Sequence, residues 1–145
     1  MEMQLDPVAA RLSRLNELAQ RVAGPAANDV DRNARFPAET LAALRKEHAL
    51  SLAVPAALGG TGASLAELAA GCTALAQHCS ASAMVLAMHH IQVECIARHH
   101  AGSAFFAEYL RSLAKEQRLI ASVTSEVGIG GDMRTSLAAV QADEI

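Results

Sequence analysis

A chain of 145 residues is long enough for one domain with a true core. Apolar residues make up 52% and aromatics only 3%, so that core is built chiefly from Ala and Leu, both strong helix formers. A net charge of −3 with scattered Lys and Arg excludes a nucleic-acid groove, and the acidic, non-apolar start Met1–Asp6 excludes a secretory signal, which points to the cytoplasm.

The first predicted helix runs from Pro7 to about Val22, with Val8, Leu12, Leu15, Leu18 and Val22 along one stripe. Pro7 suits the first helical turn, Gly24-Pro25 is expected to stop the helix, and residues 26–35 read as a polar connector. Phe36-Pro37 opens a second helix ending near His48, with Leu41 and Leu44 inward. Leu50–Val54 reads as a short extended apolar run before Pro55, and Gly59-Gly60-Thr61-Gly62 as a flexible loop.

Ser64 and Glu67 have the spacing of a capping box, which starts a third helix with Leu65, Leu68, Cys72, Leu75 and Cys79 as its stripe. Ser80 or Ser82 caps a fourth helix running to Ala101 and closed by Gly102. A fifth covers Ser103 to about Glu116, with Phe106, Leu110 and Leu113 on one face. The pattern then changes. Leu119–Thr124 reads as a strand, Val127–Asp132 as a glycine-rich loop, and residues 136–141 as a second strand. One strand pair is not stable alone, so the sheet is expected to continue in a larger parent protein.

No Asp, Glu, Lys or Arg occurs in Leu68–Val93, yet polar residues such as Gln77, His78, His89 and His90 break that stretch. It therefore reads as two buried helices needing cover on most sides rather than a membrane span. Cys72, Cys79 and Cys95 are odd in number and have no close-spaced pair, so they read as small buried hydrophobes in a reducing compartment. His89-His90 and His99-His100 lie nearly three helical turns apart, too far to share a metal. His90 with Glu94 lacks a third ligand, and a hydrogen-bonded helix histidine is the default for the doublets. Gly128 and Gly130 match two glycines of a dinucleotide fingerprint, but the third position is Met133 and no crossover helix follows. The Gly59–Gly62 loop lacks the Lys-Ser/Thr of a P-loop, and no nucleophile elbow exists. Residue chemistry alone thus gives a helical domain joined to β structure, with a Gly/Ser/Thr loop at the junction. Such a junction can hold a ligand or simply connect strands.

Several motifs, in order and spacing over residues 35–132, resemble the acyl-CoA dehydrogenase family. They are Arg35-Phe36-Pro37-Ala38-Glu39 with Leu41 and Leu44; Leu52-Ala53-Val54-Pro55 with Leu58-Gly59-Gly60-Thr61-Gly62; Gly102 with Tyr109-Leu110 and Leu113-Ala114; and Ser125-Glu126-Val127-Gly128-Ile129-Gly130-Gly131-Asp132, which is similar to that family's flavin loop. The resemblance implies a mostly α chain: an N-terminal helical domain over 1–117, then the beginning of a truncated middle β domain over 118–145. It implies an FAD-dependent oxidoreductase of fatty acid metabolism that makes the 2,3-enoyl form of an acyl-CoA thioester, passes electrons to an acceptor flavoprotein, and forms a homo-oligomer. It places Ser122, Thr124, Ser125, Gly130 and Gly131 beside FAD, and Met88, Gln92 and Gly131 beside the acyl substrate. Val127 stands where the family usually has Pro, and Gly131 where it usually has Ser, which keeps open a flavin-dependent monooxygenase of the same fold. The family's catalytic Glu lies in a C-terminal bundle beyond Ile145, so the chain alone is expected to be inactive and to bind FAD weakly or not at all; Glu94, Glu108 and Glu126 are not candidates for it. A non-enzymatic helical binding module is the remaining alternative.

Overall fold

The computed structural model describes residues 7–122 and residue 128. Its helices are α1 (Pro7–Leu18), α2 (Gly24–Arg32), α3 (Ala38–Lys46), α4 (Leu65–Ala76), α5 (Ser80–His99) and α6 (Ala104–Glu116). α4 packs against both α1 and α5, and α5 in turn meets α2 and α6. The core is the shared interior of these helices, filled by Leu44, Leu50, Leu75, Leu86, Leu110 and Leu113, all nearly inaccessible to solvent.

Gly24-Pro25 does not stop the first helix, and residues 26–32 are not a connector. A π-helical turn, Ala19–Ala23, joins α1 directly to α2. Pro25 has no N–H, and in a regular α-turn its ring collides with the carbonyl four residues back. The π-turn opens the ladder by one residue just before it, with the Gly24 N–H donating to the Ala19 carbonyl. Ala19 and Ala23, fully buried, let this widened turn sit close to its neighbours. α2 ends in a reversal in which the Arg35 N–H donates to the Val30 carbonyl and the Ala34 N–H to the Asp31 carbonyl, with Ala34 at φ +47° in the place usually held by Gly. Arg35 then bridges to Asp29 of α2 and to Glu39 of α3, fixing the angle between the two helices. It holds the Glu39 carboxyl down to about 2.

Leu50–Val54 is not extended. Ala49–Ser51 is a 3-10 turn, entered through His48 at φ +53°, and a second such turn covers Ala56–Leu58. The first is buried, and a buried segment without a partner strand must satisfy its backbone groups through turns and side chains. Nor does Gly59–Gly62 hang free. The Gly62 N–H donates to the Val54 carbonyl at 2.9 Å, the Ala63 N–H to the Leu52 carbonyl at 2.8 Å, and the Thr61 hydroxyl to the same Leu52 carbonyl at 2.9 Å. A Cβ at Gly60 would lie 2.1 Å from the Val54 carbonyl oxygen and 2.5 Å from that of Ser51. Glycine is required there by the close approach of backbone, not by φ.

The capping box of α4 is formed in full: Ser64 Oγ accepts from the Glu67 N–H, and the Glu67 carboxylate accepts from the Ser64 N–H. Arg11 on α1 reaches the same Glu67 at 2.5 Å, tying the α4 start to α1. α5 starts at Ser80 but has no side-chain cap; Ser82 is turned into the core, where its hydroxyl meets Thr40 Oγ1 at 3.1 Å. Leu65 and Phe106, expected inward, are exposed. Cys79 is buried as expected, whereas Cys72 is intermediate and Cys95 is exposed.

Leu119–Ser122 carries no strand ladder. The remainder of that expected strand, 123–124, and the expected second strand, 136–141, lie outside the described residues. The helical class is borne out over the described residues; the strands are not confirmed.

Replacing Gly60 with Ala forces the loop or the 3-10 turn apart. We expect a loss of about 2–3 kcal/mol in urea-induced unfolding, while Ala57→Ser in the exposed neighbouring turn changes stability by less than about 0.5 kcal/mol.

Candidate functional site

The last helical turn and the segment leaving it are held by buried polar side chains. Gln117, at φ +51°, caps α6 and turns its amide inward. Its Oε1 accepts from the Leu50 N–H at 3.1 Å, and its Nε2 donates to Ser51 Oγ at 2.9 Å and to the Ala114 carbonyl at 2.8 Å. Arg45 Nε on α3 donates to the Gln117 carbonyl at 3.2 Å.

His89, fully buried on α5, completes the arrangement. One ring nitrogen, Nε2, lies 2.7 Å from the Leu50 carbonyl, and the Ile120 N–H donates to the other, Nδ1, at 3.1 Å. These two bonds determine the proton position. Nδ1 faces an N–H and must be the acceptor, so Nε2 carries the hydrogen and donates to Leu50. The ring is therefore neutral, and burial holds its pKa below the ordinary 6.5 even though the Leu50 carbonyl pulls the other way. His90, 3% exposed, has neither ring nitrogen partnered among the described residues. Burial, assisted by repulsion from His89, lowers it to about 3. The default of a hydrogen-bonded helix histidine thus holds for His89 and fails for His90.

Past Ile120 the chain reaches Ser122, which lies against α5. Gln92 Nε2 donates to Ser122 Oγ at 3.1 Å. Met88 lies one turn earlier than Gln92 on α5, and all three residues are partly exposed. Gln92, expected beside the acyl substrate, and Ser122, expected beside FAD, are thus brought together, with Met88 beside them on the same helical flank. Thr124, Ser125, Gly130 and Gly131 lie outside the described residues; Gly128, within the same loop, has φ +91°. Glu94 and Glu108 are ion-paired on the surface with Arg98 at 2.9 Å and Arg111 at 3.4 Å. Among the described residues no group of His, Cys, Asp and Glu could hold a metal ion, and no helix is long and apolar enough to cross a membrane.

α5 carries its apolar character onto its outer surface. Met84 is 61% exposed and Ile91 52%. The chemistry available at this surface is a half-buried hydroxyl and amide pair, Ser122 and Gln92, at the edge of an apolar helix face. Ser122 accepts from Gln92 and so keeps its own hydrogen for a further acceptor. Gln117 and the partners of His89 escaped the sequence reading because each bonds to backbone more than 30 residues away, a pairing that no local pattern carries.

Comparison with known proteins gives one match. Residues 10–117 match the family model described as the acyl-CoA dehydrogenase N-terminal domain. No curated protein and no solved structure matches the chain.

Both buried histidines are neutral in the folded protein, whereas the unfolded chain protonates them near 6.5. Unfolding therefore takes up protons at acid pH. The stability present above about pH 6.5 is lost as pH falls, with a limiting slope of about 1.4 kcal/mol per pH unit for each ring, continuing for His90 to about pH 3. Urea titrations across this range should show a shallower dependence for His90→Phe than for the native chain. At neutral pH, His90→Phe should be neutral or more stable by about 1 kcal/mol. His89→Phe should lose about 2–3 kcal/mol by stranding the Leu50 carbonyl and the Ile120 N–H.

Proposed function

The chain belongs to the acyl-CoA dehydrogenase family through that family's N-terminal domain, and from this premise we propose that it is the helical part of a flavoprotein that oxidises an acyl-CoA thioester to its 2,3-enoyl form. In this reading Ser122, Thr124, Ser125, Gly130 and Gly131 hold FAD, and Met88, Gln92 and Gly131 flank the acyl chain. The observation that carries it is the 3.1 Å hydrogen bond from Gln92 to Ser122, which joins one residue of each set.

The residues present fit a flavin edge at Ser122. Its hydroxyl is oriented by Gln92 and keeps a hydrogen for a ring acceptor. When bound, FAD supplies an acceptor for the hydride leaving the substrate β-carbon. The chain's own contribution is positional. His89 fixes Ile120, Gln92 fixes Ser122, and the segment between leaves the helical domain along a set course. Met84 and Met88 offer an adaptable apolar wall to an acyl chain. Glu94 and Glu108 are not proposed as the base that removes the α-proton, since each is engaged by an arginine. By the same family reading, electrons pass to an acceptor flavoprotein and the protein works as a cytoplasmic homo-oligomer, with residues 118–145 opening a β domain.

The test is anaerobic reduction of the FAD-loaded gene product that carries this chain. Acyl-CoA should bleach the flavin without a nicotinamide cofactor and yield the enoyl thioester. Bleaching that requires NADPH, with oxygen inserted into the product once air is admitted, would instead assign a monooxygenase. Gln92→Leu frees Ser122 at a cost of about 0.5–1.5 kcal/mol, and should raise the KM for acyl-CoA or weaken FAD binding several-fold. An unchanged KM and FAD affinity would remove Gln92 from the site.

A further inference from the structure

His89 bridges two segments that the domain holds very unequally. Its Nε2 side meets Leu50, which is fully buried and also bonded through its N–H to Gln117 Oε1 at 3.1 Å. Its Nδ1 side meets Ile120, half-buried in a segment whose neighbours Arg118 and Ala121 are exposed. Among the described residues, 119–122 are tied to the helices by two polar contacts, Ile120 to His89 and Ser122 to Gln92.

The tautomer makes the weaker end sensitive to a single proton. A neutral ring with its hydrogen on Nε2 accepts at Nδ1, whereas a protonated ring donates at both nitrogens. The Leu50 carbonyl accepts from Nε2 in either state. At Nδ1 a protonated ring sets its own N–H against that of Ile120 across 3.1 Å, two donors with no acceptor between them. A buried imidazolium also needs a carboxylate or water. The titratable group facing His89 is His90, with ring centroids 5.2 Å apart, and a charge there is repelled rather than relieved. The 3-10 turn Ala49–Ser51 has no titratable side chain. The carboxylates on the helices packed against α5 are engaged elsewhere: Asp29 with Arg35, Glu67 with Arg11, and Glu108 and Glu116 with Arg111 and Arg118. Glu94, on α5 itself, is paired with Arg98, and Asp31, Arg32 and Lys115 are exposed. None of these shifts His89, whose pKa is set by burial against the Leu50 carbonyl. Water is thus the partner left for a proton on Nδ1, and the half-buried segment moves more cheaply than the core to admit it.

We propose that protonation of His89 releases residues 119–122 from α5 while the helices stay packed, an acid-sensitive latch on the segment that leaves the domain. Burial holds the closed ring below its ordinary 6.5, and hydration on release returns it toward that value. The closed segment is therefore favoured above about pH 6.5 and opens as pH falls, with a limiting tenfold rise in the opening equilibrium per pH unit, by about the linkage of one proton. His90, lowered to about 3, takes up its proton later. Release leaves Ser122 held by Gln92 alone. On the flavoprotein reading this loosens the cofactor edge in acid; the latch itself does not depend on that reading.

Amide hydrogen exchange of the full chain without flavin, from pH 7 down to the onset of acid unfolding, tests the latch once each rate is corrected for the intrinsic pH dependence of exchange. Protection at Ile120 should fall by about tenfold over each pH unit within the titration window. Protection at Leu50, whose N–H is bonded to Gln117, should stay constant over the same range. The imidazole nitrogen resonances of His89 should report the new proton on Nδ1 in step with the Ile120 change. His90→Phe should keep the Ile120 response. The proposal is overturned if Ile120 and Leu50 lose protection together, which is global unfolding, or if Ile120 protection does not change before unfolding begins. A response that disappears in His90→Phe would assign the proton to His90 and overturn it as well. No flavin or acyl-CoA enters this measurement, so its failure is distinct from a failure of the dehydrogenase reading.

Discussion

The packing of this helical domain turns on how one non-helical residue is satisfied in the core. Leu50 sits in a 3-10 turn with both backbone groups buried, and neither has a helical partner. Its N–H goes to Gln117 at the end of α6, and its carbonyl to His89 in the middle of α5. Burying a peptide group without such partners costs a few kcal/mol, a large share of a domain's net stability. The two side chains therefore do more than fill space. They hold the start of the inter-helix loop, the end of α6 and the interior of α5 to one another at fixed distances. They also set where the chain goes next, because the second nitrogen of His89 receives the Ile120 N–H. Ser122 then lies against Gln92. The geometry proposed for the cofactor edge is thus inherited from a core hydrogen bond.

α5 is unusual in being apolar on almost every side, and its three flanks have different fates. The inner flank, with Leu86, His89 and Val93, is buried in the core. A second flank, with Met88 and Gln92, meets the departing segment, and the third opens into a groove beside α4. A helix apolar all round is normally covered all round. Met84 and Ile91, seven residues apart and so on one stripe, leave that outer face of the helix exposed.

Much of this was legible in the residues. The capping box at Ser64, the Phe36-Pro37 opening of α3 and the end of α6 follow from local chemistry, which acts over three or four residues and is readable at that range. The family was legible because its motifs keep their order. What failed were places where tertiary packing overrides a local signal. Gly24-Pro25 is a strong stop in isolation, but continuing the helix buries Ala23 and Val30 and brings α2 against α5. Leu50–Val54 has the composition of a strand yet lacks a neighbour to pair with, so it closes on itself. The apolar stripe of α4 begins at an exposed Leu65 on the rim of an open groove lined by α4 and α5, a tertiary gap that no single-helix pattern encodes. Gln92 and Ser122 were picked out by resemblance, but their direct contact depends on His89 holding Ile120, a link that spans 31 residues.

The π-turn at Ala19–Ala23 has a further consequence for how α1 and α2 share one axis. One additional residue in a helical path rotates everything beyond it by roughly 100°. Leu15, before the turn, meets α4, and α2, beyond it, packs Val30 inward and meets α5. The turn works as a vernier, setting the face of α2 relative to that of α1 without ending the helical path.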